Sequence, residues 1–283
     1  MYTDKPVQHT TAEHNNCLLI LLYHGVTNSA SVGIENFSGK HIQKDEFQRQ
    51  IGIVAKTCVP LSMDDIVEIH RSGEEYPPNA VAVTFDDGFF NNYSDAVPIL
   101  DDFKVPATFY VCAGMISSKK MFWVDELEDC FNRSTKSQVT IKLDDCSILF
   151  PLIDKQSRLI ALQEVKSFCK HIDLATRNRV IATVIEETAV TPNCEASQNY
   201  RKATWEQLED VANNRLFTIG GHTLYHDIMT SVPTAIMEND VVQTLSLLDR
   251  KLGQKTSHFS YPEGQEEHFN SKVISALKAN GVV

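Results

Sequence analysis

The run Ala80-Val-Ala-Val-Thr-Phe-Asp-Asp-Gly-Phe89 constrains this chain more than any other stretch. Val81, Val83 and Phe85 have no charged neighbours, so the run reads as a strand buried on both faces, the usual state of a parallel strand in an α/β protein. It stops at two adjacent carboxylates, Asp86 and Asp87, and Gly88 then lets the backbone turn sharply. In parallel α/β architectures ligands and catalytic groups gather at that end of a strand. Neighbouring side chains point in different directions, which allows the two carboxylates separate tasks, such as one metal ligand and one base. Taken alone, the stretch fits a solvated Asp-Asp-Gly turn equally well.

A second feature shifts that balance. Leu216-Phe-Thr-Ile-Gly-Gly-His-Thr-Leu-Tyr-His226 reads as another strand that delivers His222 and His226 just past its end. Two histidines four apart share one face if the segment turns helically, a common way to present two imidazoles to one metal. By itself the H-x-x-x-H spacing is weak. Together with a carboxylate at another strand end it makes a set of two His and one Asp, with coordination positions left open for water and substrate.

At these residues the chain resembles the polysaccharide deacetylases with the NodB-type domain, carbohydrate esterase family 4. The family's T-F-D-D-G motif stands unaltered at Thr84–Gly88, and its H-[ST]-x-x-H motif matches His222-Thr-Leu-Tyr-His226. Phe259-Ser-Tyr-Pro-Glu-Gly264 is similar to the family's R-x-P-x-G loop, with Ser260 in place of the Arg. The resemblance runs from about Cys17 to the C-terminus. It implies an α/β fold, a distorted, incomplete parallel (β/α) barrel of the NodB type, here with a mainly helical insertion. It also implies a divalent metal, zinc above others, held by Asp87, His222 and His226, with Asp86 as base. Tyr261 and Pro262 of the third motif become candidate substrate contacts. In the family the missing Arg tethers the base, so here either another cation compensates or the base is held differently.

Cys17-Leu-Leu-Ile-Leu-Leu-Tyr-His-Gly-Val26 reads as the first buried strand, with His24 at its end. An isolated His there fits a core or rim position. Some family members that deacetylate poly-N-acetylglucosamine carry a similar Tyr-His element whose His is the general acid, and the resemblance gives that role to His24. The chemistry of amide hydrolysis also calls for an oxyanion donor, for which the Phe89 backbone N–H is the candidate.

The formal charge of −11 argues against a nucleic-acid or anionic-membrane surface, since no basic patch offsets it. A neutral or amino-sugar substrate suits it. Seven cysteines with no C-x-x-C pair read as reduced thiols of a cytoplasmic protein. Residues 1–16 are polar, lack the apolar centre of a signal peptide and read as a flexible tail; the apolar run after them is too short to span a bilayer. Residues 17–283 are then one deacetylase-like domain. The close in Gly281-Val-Val283 reads as the start of a further strand and hence as a C-terminus cut short.

The rest of the chain reads as scaffold. His41–Thr57 and Met63–His70 are expected helices, the second capped by Ser62. Ser94 or Asp95 is expected to cap a short helix near Pro98, and Pro106–Gly114 reads as the next buried strand. Residues 115–200 depart from the strand–helix alternation and read as an insertion forming one wall of a cleft. Within it Trp123 is either a sugar-stacking platform or a packing anchor. Thr204 and Ser271 are expected caps of later helices, and His268 is a marginal site candidate. Two other activities compete with N-deacetylation: hydrolysis of a different linear or cyclic amide, such as a ureide or N-formyl group, and sugar binding without catalysis.

Overall fold

A computed structural model of the chain describes residues 17–143 and 146–283. The expected tail over 1–16 lies outside the described residues. Four parallel strands, Leu19–Tyr23, Ala80–Phe85, Ala107–Val111 and Phe217–Gly221, lie side by side in that order, and Val59–Pro60 pairs with the start of Ala80–Phe85. Parallel neighbours need crossover connections, and the helices Lys44–Thr57, Met63–Ser72 and Val97–Phe103 supply them. The fold is therefore the α/β arrangement expected, with a continuous parallel sheet. A single bridge from Gly221 to Phe259 extends it by one more segment.

Register sets the site. Tyr23 pairs with Phe85, Phe85 with Phe109, and Val111 with Gly221. His24 and Asp86 consequently leave the sheet at one level, and His222 leaves one step beyond the level of Asp87. The central strand is buried along its whole length, as its uncharged run requires. Phe85 holds the core beneath the carboxylates: it is fully buried, stacks on Tyr23 and Phe109 at 5.4 and 4.9 Å, and meets Phe47 edge-on at 5.7 Å. Truncating it leaves a cavity under the Asp86–Gly88 turn. A Phe85→Ala protein is expected to lose about 3–5 kcal/mol of stability, read as a lowered midpoint in urea unfolding.

Several expectations are corrected in detail. The first strand is an edge strand and not a buried one: Leu19, Ile20 and Leu22 are 57%, 48% and 55% exposed, because the strand pairs on one side only among the described residues. Gly25–Thr27 forms a separate short ladder with His41–Gln43, so the first helix begins at Lys44. Asp95 does not cap a helix. It pairs with Lys44 at 2.9 Å inside a π-helical turn, Asn92–Ala96, that runs directly into Val97–Phe103. Asn270, not Ser271, caps the last helix. Ser62 and Thr204 cap as expected, each in a reciprocal capping box.

Between Val111 and Phe217 the chain builds a second layer. Helices Trp123–Arg133, Lys155–Lys170 and Leu174–Thr188 pack with the antiparallel pair Gln138–Leu143 and Cys146–Pro151 around a core of their own that includes Leu127, Phe131, Ile141, Leu162 and Val184. Ile34, from the loop after the first strand, is buried in this core and ties the layer to the sheet. No helix among the described residues is long and apolar enough to cross a membrane.

Candidate active site

The carboxylates sit on a strained turn. Asp86 N–H donates to the Tyr23 carbonyl, continuing the ladder by one bond, and Gly88 N–H then donates back to the Asp86 carbonyl at 3.1 Å. That two-residue bond spans Asp87, whose φ of +80° is one that non-glycine residues rarely adopt. Such strain persists where surrounding structure enforces it. Gly88, at φ +81°, follows in the same region, and a Cβ there would come within 2.9 Å of Ile116 and 3.1 Å of Val111. Only glycine fits, which accounts for the D-D-G sequence at this strand end. The turn is locked from the far side by a bridge in which Phe90 N–H donates to the Arg201 carbonyl and Ala203 N–H to that of Gly88. That bridge makes no use of the Phe89 N–H.

His222 and His226 are brought together by a tight turn and not by a helix, with Thr223 and His226 at φ +62° and +64°. Ala113 and Gly114 N–H groups donate to the Thr223 and Leu224 carbonyls, and Asp240 takes the Leu224 N–H on both oxygens. The rings lie 5.0 Å apart. His222 Nδ1 is 2.9 Å from the Ser260 carbonyl, which can only accept, so Nδ1 carries the proton and Nε2 presents a lone pair. That Nε2 lies 3.7 Å from Asp87 Oδ1, and His226 Nε2 lies 3.4 Å from the same oxygen. Asp87 Oδ1 is buried and has no hydrogen-bond partner. A carboxylate oxygen and a bare imidazole nitrogen facing one another, with a second imidazole beside them, form a donor set suited to a cation.

The electrostatics agree with that fit. Burial alone would raise the Asp87 pKa, but His226, His24, His222 and Lys40 outweigh it and hold the group well below the usual carboxylate range. Burial lowers His226 to about 4 against the pull of Asp87, leaving its ring neutral and able to ligate. Asp86 moves the other way: burial raises its pKa, with Asp87 adding and His222 and His24 opposing. Cys112 Sγ also lies near Asp87 and His222. Its thiol is a poor third ligand, because it donates to the His222 carbonyl at 3.1 Å and burial pushes its pKa well above the ordinary value.

These groups open into a cavity of about 790 Å³, within the range of small-ligand sites. His24, Asp86, Asp87, His222, His226 and Tyr261 all line it. Pro262 is buried and does not line it, nor does His268, whose Nδ1 accepts from Gln265 N–H. Trp123 is also outside this cavity. Its ring packs against the core of the second layer, beneath the Arg177 guanidinium at 5.3 Å, as a packing anchor does. Ser260, where an Arg was expected, puts its hydroxyl 3.5 Å from Asp86 Oδ2, and no Lys or Arg pairs with Asp86 among the described residues. Among the described residues, no Lys or Arg has taken the place of the missing Arg.

Sequence reading missed the lysines. Lys40, on the loop before the first helix, and Lys166 and Lys170, on the insertion helix, line the same cavity. Lys40 is ion-paired with the buried Asp125. Behind them Lys202 is buried between the Phe89 and Phe122 rings at 4.3 and 4.1 Å, and its pKa falls to about 8 through burial. No periodicity or motif marks these residues, since the fold assembles them from three separate segments.

Parallel strands that end in two carboxylates, two imidazoles and a third histidine around one cavity have the layout of an α/β enzyme with its chemistry at the strand ends. The chain belongs to the polysaccharide deacetylase family: a sequence profile described as Polysaccharide deacetylase matches residues 73–143 and 176–283, well over half of its length. The unmatched stretch between them lies in the insertion. Among proteins of known function, the chain is 36% identical over 83 residues to a poly-beta-1,6-N-acetyl-D-glucosamine N-deacetylase of Escherichia coli strain K12, a match covering 28% of this chain and 12% of that protein. Its fold is similar to that of IcaB from Ammonifex degensii, at a TM-score of 0.58 and 18% identity over 94% of this chain and 81% of that one. The Streptococcus pyogenes deacetylase PplD gives a TM-score of 0.54 at 15% identity, covering 93% and 80%.

Proposed function

We propose that this chain is a metal-dependent hydrolase that removes an N-acyl group, foremost N-acetyl, from an amino sugar of a polysaccharide or its precursor. The observation that carries this reading is the convergence of His222 Nε2 and His226 Nε2 on one buried, donor-free oxygen of Asp87, with Asp86 alongside. Membership of the family and the name of the Escherichia coli relative support the substrate class.

In this reading Asp87, His222 and His226 hold the ion, and a set of two imidazoles and one carboxylate suits zinc. Bound there, such an ion polarises an acyl carbonyl and brings the pKa of a bound water to about 7. Asp86 takes the proton of the attacking water. Its raised pKa helps, because a carboxylate that holds a proton more readily is a better base near neutrality. The Phe89 N–H donates to the developing oxyanion. As the carbon–nitrogen bond breaks, His24 delivers a proton to the departing amine. Its place at the level of Asp86, after a strand at the other end of the sheet order from Phe217–Gly221, suits that task.

The substrate test measures acetate and free amine released from N-acetylglucosamine oligomers, beside ring opening of a cyclic ureide. Equal amounts of acetate and amine are expected from the oligomers. Ring opening of the ureide without acetate release would move the activity to the other amide class. A His24→Ala protein is expected to keep its metal and lose about 10²-fold to 10⁴-fold on the amide while retaining most hydrolysis of an activated acetyl ester, whose leaving group needs no proton. Equal losses on both substrates would remove the acid role.

A further inference from the structure

Three ammonium groups, those of Lys40, Lys166 and Lys170, line the cavity into which the imidazoles open, although the chain as a whole carries a formal charge of −11. Two of the three are already matched. Lys40 is paired with Asp125, and Lys170 with Glu263 at 2.7 Å, a link that joins the insertion helix to the loop after Phe259. Lys166 lies between them and, among the described residues, takes part in no ion pair; its nearest notable contact is the Phe37 ring, 5.6 Å from Nζ. It is half-buried and lines the cavity. Burial, Lys40 and Lys170 all lower its pKa, while the opposing carboxylates of Glu128 and Asp125 stand behind the wall and do not line the cavity. A half-buried ammonium crowded by two others is relieved by an anion on its open side, and here that side is the cavity.

We propose that Lys166, flanked by Lys40 and Lys170, binds an anionic group of the substrate, so that the sugar this enzyme deacylates is acidic, bearing a carboxylate or a phosphate ester near the N-acyl group. The inference rests on the hydrolase reading above and narrows its substrate class. Three features support it. The three lysines line the same cavity as Asp87, His222 and His226, so a single ligand can reach both sets. Two of its three lysines come from the insertion helix Lys155–Lys170, part of the stretch the family profile leaves unmatched, so the cationic wall belongs to what sets this chain apart. The Lys170–Glu263 pair leaves Lys166 free to contact the ligand while holding the helix against the site.

The test compares kcat/KM for three substrates: a neutral N-acetylglucosamine oligomer, an N-acetylated oligosaccharide of similar length containing a uronic acid, and an N-acetylated amino-sugar phosphate. Wild type should favour at least one acidic substrate over the neutral oligomer by about tenfold, mainly through KM, with the preference shrinking as salt is raised. The better of the two acidic substrates identifies carboxylate or phosphate as the anion. Lys166→Ala should erase most of that preference, Lys166→Glu should reverse it, and Lys166→Arg should keep it, which controls for loss of fold. A wild type that prefers the neutral oligomer, or a preference untouched in Lys166→Ala and Lys166→Glu, overturns the proposal while leaving the hydrolase reading intact. Failure of the wild type on all three substrates would count against the hydrolase reading itself. In that case, calorimetric titration of the uronic-acid oligosaccharide into wild type and Lys166→Glu still decides the anion site: tighter binding by wild type upholds it, and equal binding overturns it.

Discussion

An Asp86→Asn protein is expected to keep its metal and its fold and to lose about 10²-fold to 10⁴-fold in turnover, the range for removing a general base. Asp86 and Asp87 are adjacent and chemically identical, so only placement separates them. Asp87 Oδ1 is where the two imidazoles converge. Asp86 faces the cavity with one oxygen near the Ser260 hydroxyl and the other, Oδ1, buried without a hydrogen-bond partner. Asn keeps the shape of the side chain, so substrate affinity should change little while proton removal fails. Added zinc should restore nothing. Recovery with excess zinc, or isolation of this variant free of metal, would exchange the roles of the two carboxylates.

The second large effect separates two overlapping ligand sets. Asp87, His222 and Cys112 lie close enough to share an ion, while His222 and His226 each approach Asp87 Oδ1, at 3.7 and 3.4 Å. His226→Ala is expected to lower zinc affinity by more than about 100-fold, beyond the 10-fold to 100-fold that outer-shell changes cost. Cys112→Ser is expected to keep stoichiometric zinc, because the thiol already serves the His222 carbonyl and is held protonated by burial. Competition with a chromophoric chelator reads both. The reverse pattern, zinc lost with Cys112 and kept without His226, would put sulfur in the ligand set. Asp87→Asn should fall between wild type and His226→Ala, with part of its activity regained in excess zinc.

The central strand and its carboxylates were legible because burial on both faces, an abrupt charged end and a glycine are all local signals. The His222 strand was legible for the same reason. The geometry between His222 and His226 was not: their spacing suggested a helical face, whereas Thr223 and His226 adopt left-handed φ values that only the surrounding hydrogen bonds enforce. The first strand illustrates a different limit. Its apolar run predicts a strand correctly, but hydrophobicity does not say how many neighbours a strand finds, and Leu19, Ile20 and Leu22 stand at an edge. Trp123, among Phe122, Val124 and Leu127, suits packing more readily than stacking on sugar, and its placement beneath Arg177 agrees with packing. The lysine wall was invisible, because Lys40 and Lys166 meet across 126 positions of sequence and neither belongs to a pattern.

The most direct test of the central claim is a titration of metal-free protein with zinc, following acetate release from an N-acetylated amino-sugar oligomer. The metal-free protein should be inactive within detection, and activity should rise linearly to a plateau at one zinc per chain, with no such rise in His226→Ala over the same range. Full activity in the metal-free protein, or a rise that is the same with and without His226, would contradict the account.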